Sequence, residues 1–155
     1  MGWLVLVTRL VVGGVWIVAG ALKIPDPASS VQAVRAYRLL PEAVVPTVGQ
    51  LLPVVEVVVG LALVVGLLTR TMALASAVLF VAFIIGIASA WARGLTIDCG
   101  CFGGGGYDPD AAEKYPWEIA RDVALLAGSL FVAAVGHRGR WALDHVLFRR
   151  TPLES

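Results

Sequence analysis

Between Arg70 and Arg93 the chain carries no ionisable side chain at all. A helix needs roughly 20 mostly apolar residues to cross about 30 Å of hydrocarbon, and this run satisfies that by itself. Three more stretches nearly repeat it, so spans are expected at about 3–22, 48–68, 72–92 and 117–136. The runs are continuous rather than alternating in short segments, which favours helices over a barrel. Composition agrees: 59% of residues are hydrophobic and 15% charged, against about 45–50% and about 25% for a soluble domain. A net charge of +1 without a basic stripe excludes nucleic acid as a partner, and two cysteines are too few for a disulfide-dense secreted scaffold.

The expected fold is therefore all-α: an integral four-helix bundle over residues 1–136, with the lipid bilayer as its surroundings. The first span ends in Ala19-Gly20-Ala21, which resembles a cleavage site, but its start has no early Lys or Arg, so it reads as a retained span. Lys and Arg counts near the span ends are balanced until the cluster Arg138, Arg140, Arg149 and Arg150 is weighed. That cluster favours cytoplasmic termini in a plasma or inner membrane, with the loop from Arg93 to Pro116 facing outward.

The connections carry structure of their own. Asp26-Pro27 reads as an N-cap with proline at the first helical position, and Pro41 as the stop of a short interfacial helix. Its faces are Val31, Val34 and Tyr37 on one side and Gln32, Arg35 and Arg38 on the other. Residues 137–155 read as a basic amphipathic cytoplasmic tail, with Trp141, His145 and Phe148 opposite the arginines. Both segments also suit plain membrane anchors. Gly13, Gly14, Gly20, Gly60, Ala73, Ala77, Gly86 and Ala90 permit close helix approach, and self-association of the bundle stays open.

The two cysteines fall at Cys99 and Cys101, in Ile-Asp-Cys-Gly-Cys-Phe-Gly-Gly-Gly-Gly-Tyr. Gly100 lets the backbone bend enough to bring the sulfurs together. A bridge across so small a ring adds little loop-closure stabilisation, which suits a bond that is made and broken. Thiol–disulfide exchange, soft-metal binding and a static bridge or thiol pair all fit this spacing. Two sulfurs without a nearby Met or His make a thin Cu(I) site, so no metal is expected. Asp98 reads either as a like charge that disfavours the thiolate or as a proton acceptor during exchange.

A second constellation lies within the spans. Lys23, Glu56, Arg121 and Asp122 are expected at similar depth beneath the cysteine loop, where buried charges must pair. They form either a polar pocket under a dithiol or a simple packing pair of Glu56 with Arg121. Arg9 is expected to snorkel to the cytoplasmic surface.

These residues carry a family resemblance. Arg9, Gly13, Trp16, Ala19, Gly20 and Lys23, then Pro53 and Glu56, Cys99-Gly-Cys-Phe-Gly103, and Arg121-Asp122 resemble the MauE/DoxX-like family of small four-helix membrane proteins, the MauE branch in particular. The resemblance implies a redox helper in methylamine utilisation, supporting disulfide formation in a periplasmic enzyme subunit beside a thioredoxin-like partner. By analogy with four-helix disulfide-generating proteins, a quinone is a candidate electron acceptor, with Glu56, Arg121 and Trp117 as its expected surroundings. Those proteins carry two cysteine pairs and this chain has one, so an internal relay between pairs is excluded. The expected function is a membrane thiol–disulfide exchange protein, against a non-enzymatic scaffold or assembly factor with a structural disulfide. A small transporter is disfavoured, since four short helices leave little room for a path.

Overall fold

The computed structural model describes residues 2–136 and 143–147 of the chain. Among these residues six helices and one small hairpin run in the order α1 (Gly2–Lys23), α2 (Pro27–Ala36), α3 (Val45–Val65), α4 (Thr69–Ala92), β1 (Ile97–Asp98), β2 (Gly106–Tyr107), α5 (Ala111–Val135) and α6 (Leu143–Leu147). The fold is an all-α membrane bundle. By length and composition α1, α3 and α4 are each able to cross a bilayer. Helix α5, at the fourth expected span, is 25 residues long, about 37 Å at 1.5 Å per residue, and carries Glu118, Arg121 and Asp122 in its first half. Apolar side chains cover the outside as well as the inside: on α4, Ala77 and Phe80 are buried while Val78 is 68% exposed. A helix apolar on both faces belongs in lipid.

Helix ends differ from the expected spans for local reasons. The second span runs over Val45–Val65 rather than 48–68, because Gly66 takes the left-handed C-cap conformation at φ 82°. The third starts at Thr69, three residues early, where the Asp144 carboxylate of α6 accepts from the backbone N–H groups of Leu68 at 2.6 Å and Thr69 at 2.8 Å. The fourth begins at Ala111 and carries Pro116 in its first two turns, so Trp117 lies inside the helix rather than at its start. Asp26 caps α2 as expected, accepting from Ser29 N at 3.1 Å. That helix stops at Ala36, well before Pro41, since Arg38 adopts φ 52°. Of the expected amphipathic tail the structure describes only α6, and the rest of residues 137–155 lies outside the described residues.

The helices pack around α1 and α5. Helix α1 lies chiefly against α3 and also meets α5, while α4 lies chiefly against α5. Helices α3 and α4 touch each other only lightly. The α1–α3 contact is close because a Cβ at Gly13 would come within 2.8 Å of the Gly60 carbonyl oxygen, and one at Gly20 within 2.6 Å of that of Pro53. Gly14, also expected at a contact, faces open space. In the core Trp16 stacks at 4.4 Å from Phe80 and donates to Ser76 Oγ at 2.7 Å. Ser76 and Ser129 then share a 2.8 Å hydrogen bond, tying α1, α4 and α5 through one buried polar chain. Arg9 departs from its expected role. It is 3% exposed, with Nη2 at 3.5 Å from the Val64 carbonyl, so the guanidinium stays inside the bundle instead of reaching the surface.

Candidate functional site

The connection between α4 and α5 is anchored before it reaches the cysteines. The Tyr115 hydroxyl accepts from Ile97 N at 3.2 Å and donates to the Leu95 carbonyl at 2.6 Å, fixing the entry into β1. Strands β1 and β2 then pair antiparallel, Ile97 with Tyr107 and Asp98 with Gly106. This hairpin was not foreseen, since two-residue strands leave no period to read. Inside it lies the Cys-Gly-Cys turn.

The glycine run has a physical account. Gly100, at φ 66°, and Gly105, at φ 125°, both lie against Ala33 of α2, where an added Cβ would come within 2.7 Å and 2.6 Å of the Ala33 Cβ. Only a chain without side chains there can settle onto that helix in these conformations. Ser29 adds a 2.9 Å bond to the Gly104 carbonyl. Tyr37, at the end of α2, donates to the Cys99 carbonyl at 2.8 Å, and the Tyr37 carbonyl accepts from Arg93. The interfacial helix is thus the floor of the cysteine turn.

Both cysteines are free thiols, Cys99 half-buried and Cys101 buried. The turn brings them together: Cys101 N donates to Cys99 Sγ at 3.2 Å, and Cys101 Sγ lies 3.9 Å from the Cys99 carbonyl oxygen. The hydrogen bond shared with Cys99, and then burial, push the Cys101 thiol well above its usual range, while Arg121 pulls it back. Asp98 accepts from Gly100 N at 3.0 Å, so its carboxylate braces the turn. Glu118 of α5 is a second carboxylate in electrostatic reach of Cys99, and its buried Oε2 has no hydrogen-bond partner. Sequence reasoning missed Glu118. The available signal was its position four residues before Asp122, on the same helical face.

The four intramembrane charges form two pairs. Lys23 Nζ meets Glu56 Oε1 at 2.7 Å with both side chains buried, and stands 5.5 Å over the Phe83 ring. Arg121 pairs with its own neighbour Asp122 at 2.9 Å and lays its guanidinium 4.8 Å over the Phe102 ring. The expected packing pair of Glu56 with Arg121 does not form, because helix rotation turns Glu56 toward α1. Both pairs nonetheless border the cysteines. Arg121 and Asp122 act electrostatically on Cys101, and Lys23 shares with Cys99 and Cys101 the wall of a cavity of about 260 Å³. Trp117 is 72% exposed and does not line that cavity. Among the described residues, no three His, Cys, Asp or Glu side chains converge as a metal-holding group.

Comparison with known proteins places this arrangement in a family. The chain is 38% identical over 102 residues to the methylamine utilization protein MauE of Paracoccus denitrificans, a match covering 64% of this chain. The chain spans about half, 52%, of the length of that curated relative. No solved structure matches it. The family described as methylamine utilisation protein MauE matches residues 1–135, from α1 to the end of α5 and through every side chain of the cysteine site. By that match over most of its length, the chain belongs to the MauE family of membrane proteins.

Proposed function

We propose that this protein is a membrane thiol–disulfide exchange protein serving methylamine utilisation, working through Cys99 and Cys101 on an extracytoplasmic loop. The observation that carries the reading is the asymmetry of the pair. Cys99 is half-buried, with Glu118 beside its thiol, whereas Cys101 is buried beneath it with Arg121 and Asp122 in electrostatic reach. A pair built for exchange needs one reachable sulfur and one held behind it as leaving and resolving group.

In the oxidised state a thiolate of a thioredoxin-like partner attacks Cys99 Sγ. The Cys99–Cys101 bond breaks, and Cys101 leaves with the Arg121 guanidinium near its developing charge. The partner's second thiolate then attacks the mixed disulfide, and Cys99 departs as a thiolate that takes up a proton. Glu118 is placed to exchange that proton. The partner gains a disulfide and this chain becomes a dithiol, the Cys101 and Cys99 thiolates taking up the two protons that the partner's thiols gave up. Asp98 acts as a brace on the turn.

Burial of Cys101 also suits a scaffold whose bridge is static. Thiol trapping across a series of redox buffers separates the two readings. An exchange protein shows a titratable couple between about −120 and −270 mV, while a structural bridge resists reduction to below about −300 mV. With Cys101→Ser, Cys99 should accumulate a mixed disulfide with the partner, and with Cys99→Ser none should form. A bridge that never titrates, or never forms, returns the protein to the scaffold reading.

A further inference from the structure

A cavity of about 260 Å³ lies against the cysteine turn, walled by residues of α1, α2, α3 and α4. Val34, Leu52, Leu79, Ala82 and Phe83 supply apolar walls, and both cysteines form part of its lining. Its polar groups are few and mostly engaged. Ser30 Oγ donates to the Gly49 carbonyl at 2.7 Å, and Tyr37 is held by the Cys99 carbonyl. Lys23 is the one cationic side chain among the described residues that line it. Three of the lining residues, Leu39, Leu40 and Ala82, are exposed, so the cavity's rim reaches the apolar surface of the bundle, with Ala82 on its α4 side.

We propose that this cavity seats the ring of a lipid-soluble quinone, which reoxidises the Cys99–Cys101 dithiol. The inference rests on the exchange reading above and names the electron acceptor of the same site. A dithiol that has reduced itself by oxidising a partner must lose two electrons and two protons before it can act again. In the step, both S–H bonds break, a bond forms between the two Sγ atoms, the electron pair enters the quinone ring, and the two protons end on its carbonyl oxygens. The products are a disulfide and a quinol. A dinucleotide cofactor would need a phosphate cradle of backbone N–H groups or several cations, and the lining offers a single ammonium. A neutral ring needs apolar walls and few polar contacts, and here the ammonium, held on Glu56, faces an oxygen that gains electron density. An apolar mouth on the lipid side is where a quinone's isoprenoid tail would lie.

This placement differs from a site around Glu56, Arg121 and Trp117. Glu56 stands behind Lys23, and Trp117 lies away on the exposed face of α5.

The test uses the full chain, reduced, in phosphatidylcholine nanodiscs free of quinone, with decylubiquinone as the probe. Loss of the oxidised-ring absorbance is followed together with thiol trapping. The expected result is one quinone reduced per disulfide formed. Ala82→Phe, which fills the mouth, should slow the reaction at least tenfold, while Val78→Phe, 68% exposed and away from the cavity, should not. Exchange with dithiothreitol, measured on each variant, reports whether the cysteine turn is intact. Wild type that exchanges with dithiothreitol but reduces no quinone overturns the proposal and leaves the exchange reading standing. So does Ala82→Phe reacting at the wild-type rate. Wild type that does not exchange at all overturns both.

Discussion

The Tyr37 hydroxyl donates a 2.8 Å hydrogen bond to the main-chain carbonyl of Cys99, so the helix after the first span holds the first cysteine of the pair. Burial pushes the Tyr37 phenol far above its usual range, and the neighbouring Cys101 and Cys99 add to the effect, so it stays a donor at any working pH. Tyr37→Phe removes the bond and leaves a carbonyl to find water. The expected cost is about 0.5–1.5 kcal/mol, with faster maleimide labelling of Cys99 as the turn loosens. Unchanged labelling would mean that Ser29 and the glycine contacts hold the turn without Tyr37.

Lys23 and Glu56 form a buried pair at 2.7 Å, and Glu56 Oε2 has no hydrogen-bond partner. Removing one member leaves the other charge in a low-dielectric interior. Lys23→Met and Glu56→Leu are each expected to destabilise by about 3–5 kcal/mol, whereas the double variant should recover much of the loss. Thermal unfolding in detergent measures all three. Additive losses in the double variant would show that the two side chains do not depend on each other.

Gly105 lies at φ 125° with Ala33 directly against it. Gly105→Ala combines left-handed strain, of order 1–3 kcal/mol, with a steric clash, and should lift the hairpin from α2. Dithiol exchange should fall about tenfold. Adding Ala33→Gly removes the closest contact, although the Cα at position 33 stays 3.0 Å away and the strain remains, so it should restore part of the rate. Gly94→Ala has open space around it and should leave exchange intact, even though its φ of 67° carries strain of its own.

Cys101 should be the slower thiol to alkylate. Its raised position means that the thiolate forms only above the ordinary cysteine value of about 8.5. Iodoacetamide labelling of the reduced protein, mapped by peptide mass across a pH series, should show half-modification of Cys101 on the alkaline side of that value. Arg121→Gln should move it further up, because the guanidinium is the group that draws it down. An unchanged profile would place Arg121 away from the sulfur.

Much of the architecture was readable in the chain because lipid imposes it. Without water to bond to, a spanning backbone must satisfy itself within a helix, so apolar runs of sufficient length announce their own conformation. The Asp26-Pro27 cap was equally local, needing only a short side chain and a preset φ. The closeness of Cys99 and Cys101 followed from a single intervening glycine. Pairing did not follow. Four charges at similar depth can combine in several ways of comparable Coulomb energy, and only the close approach of α1 and α3 through Gly13, Gly20 and Gly60 sets Lys23 on Glu56.

Asp98 shows the same limit at short range. Adjacent to Cys99 in sequence, it bonds to Gly100 N two residues on, because a short carboxylate in a turn reaches its own backbone first. Glu118, nineteen positions away in sequence, comes into electrostatic reach of Cys99 because the loop folds back onto α5. Arg9 was expected at the surface and is buried beside the α3 backbone instead. Local sequence was enough to mark the long apolar helices and to hold the two sulfurs near each other, because solvation and chain connectivity act on neighbours. Which charges pair and which cation borders the cavity were decided by helix rotation and loop packing, which bring distant residues together only in the folded bundle.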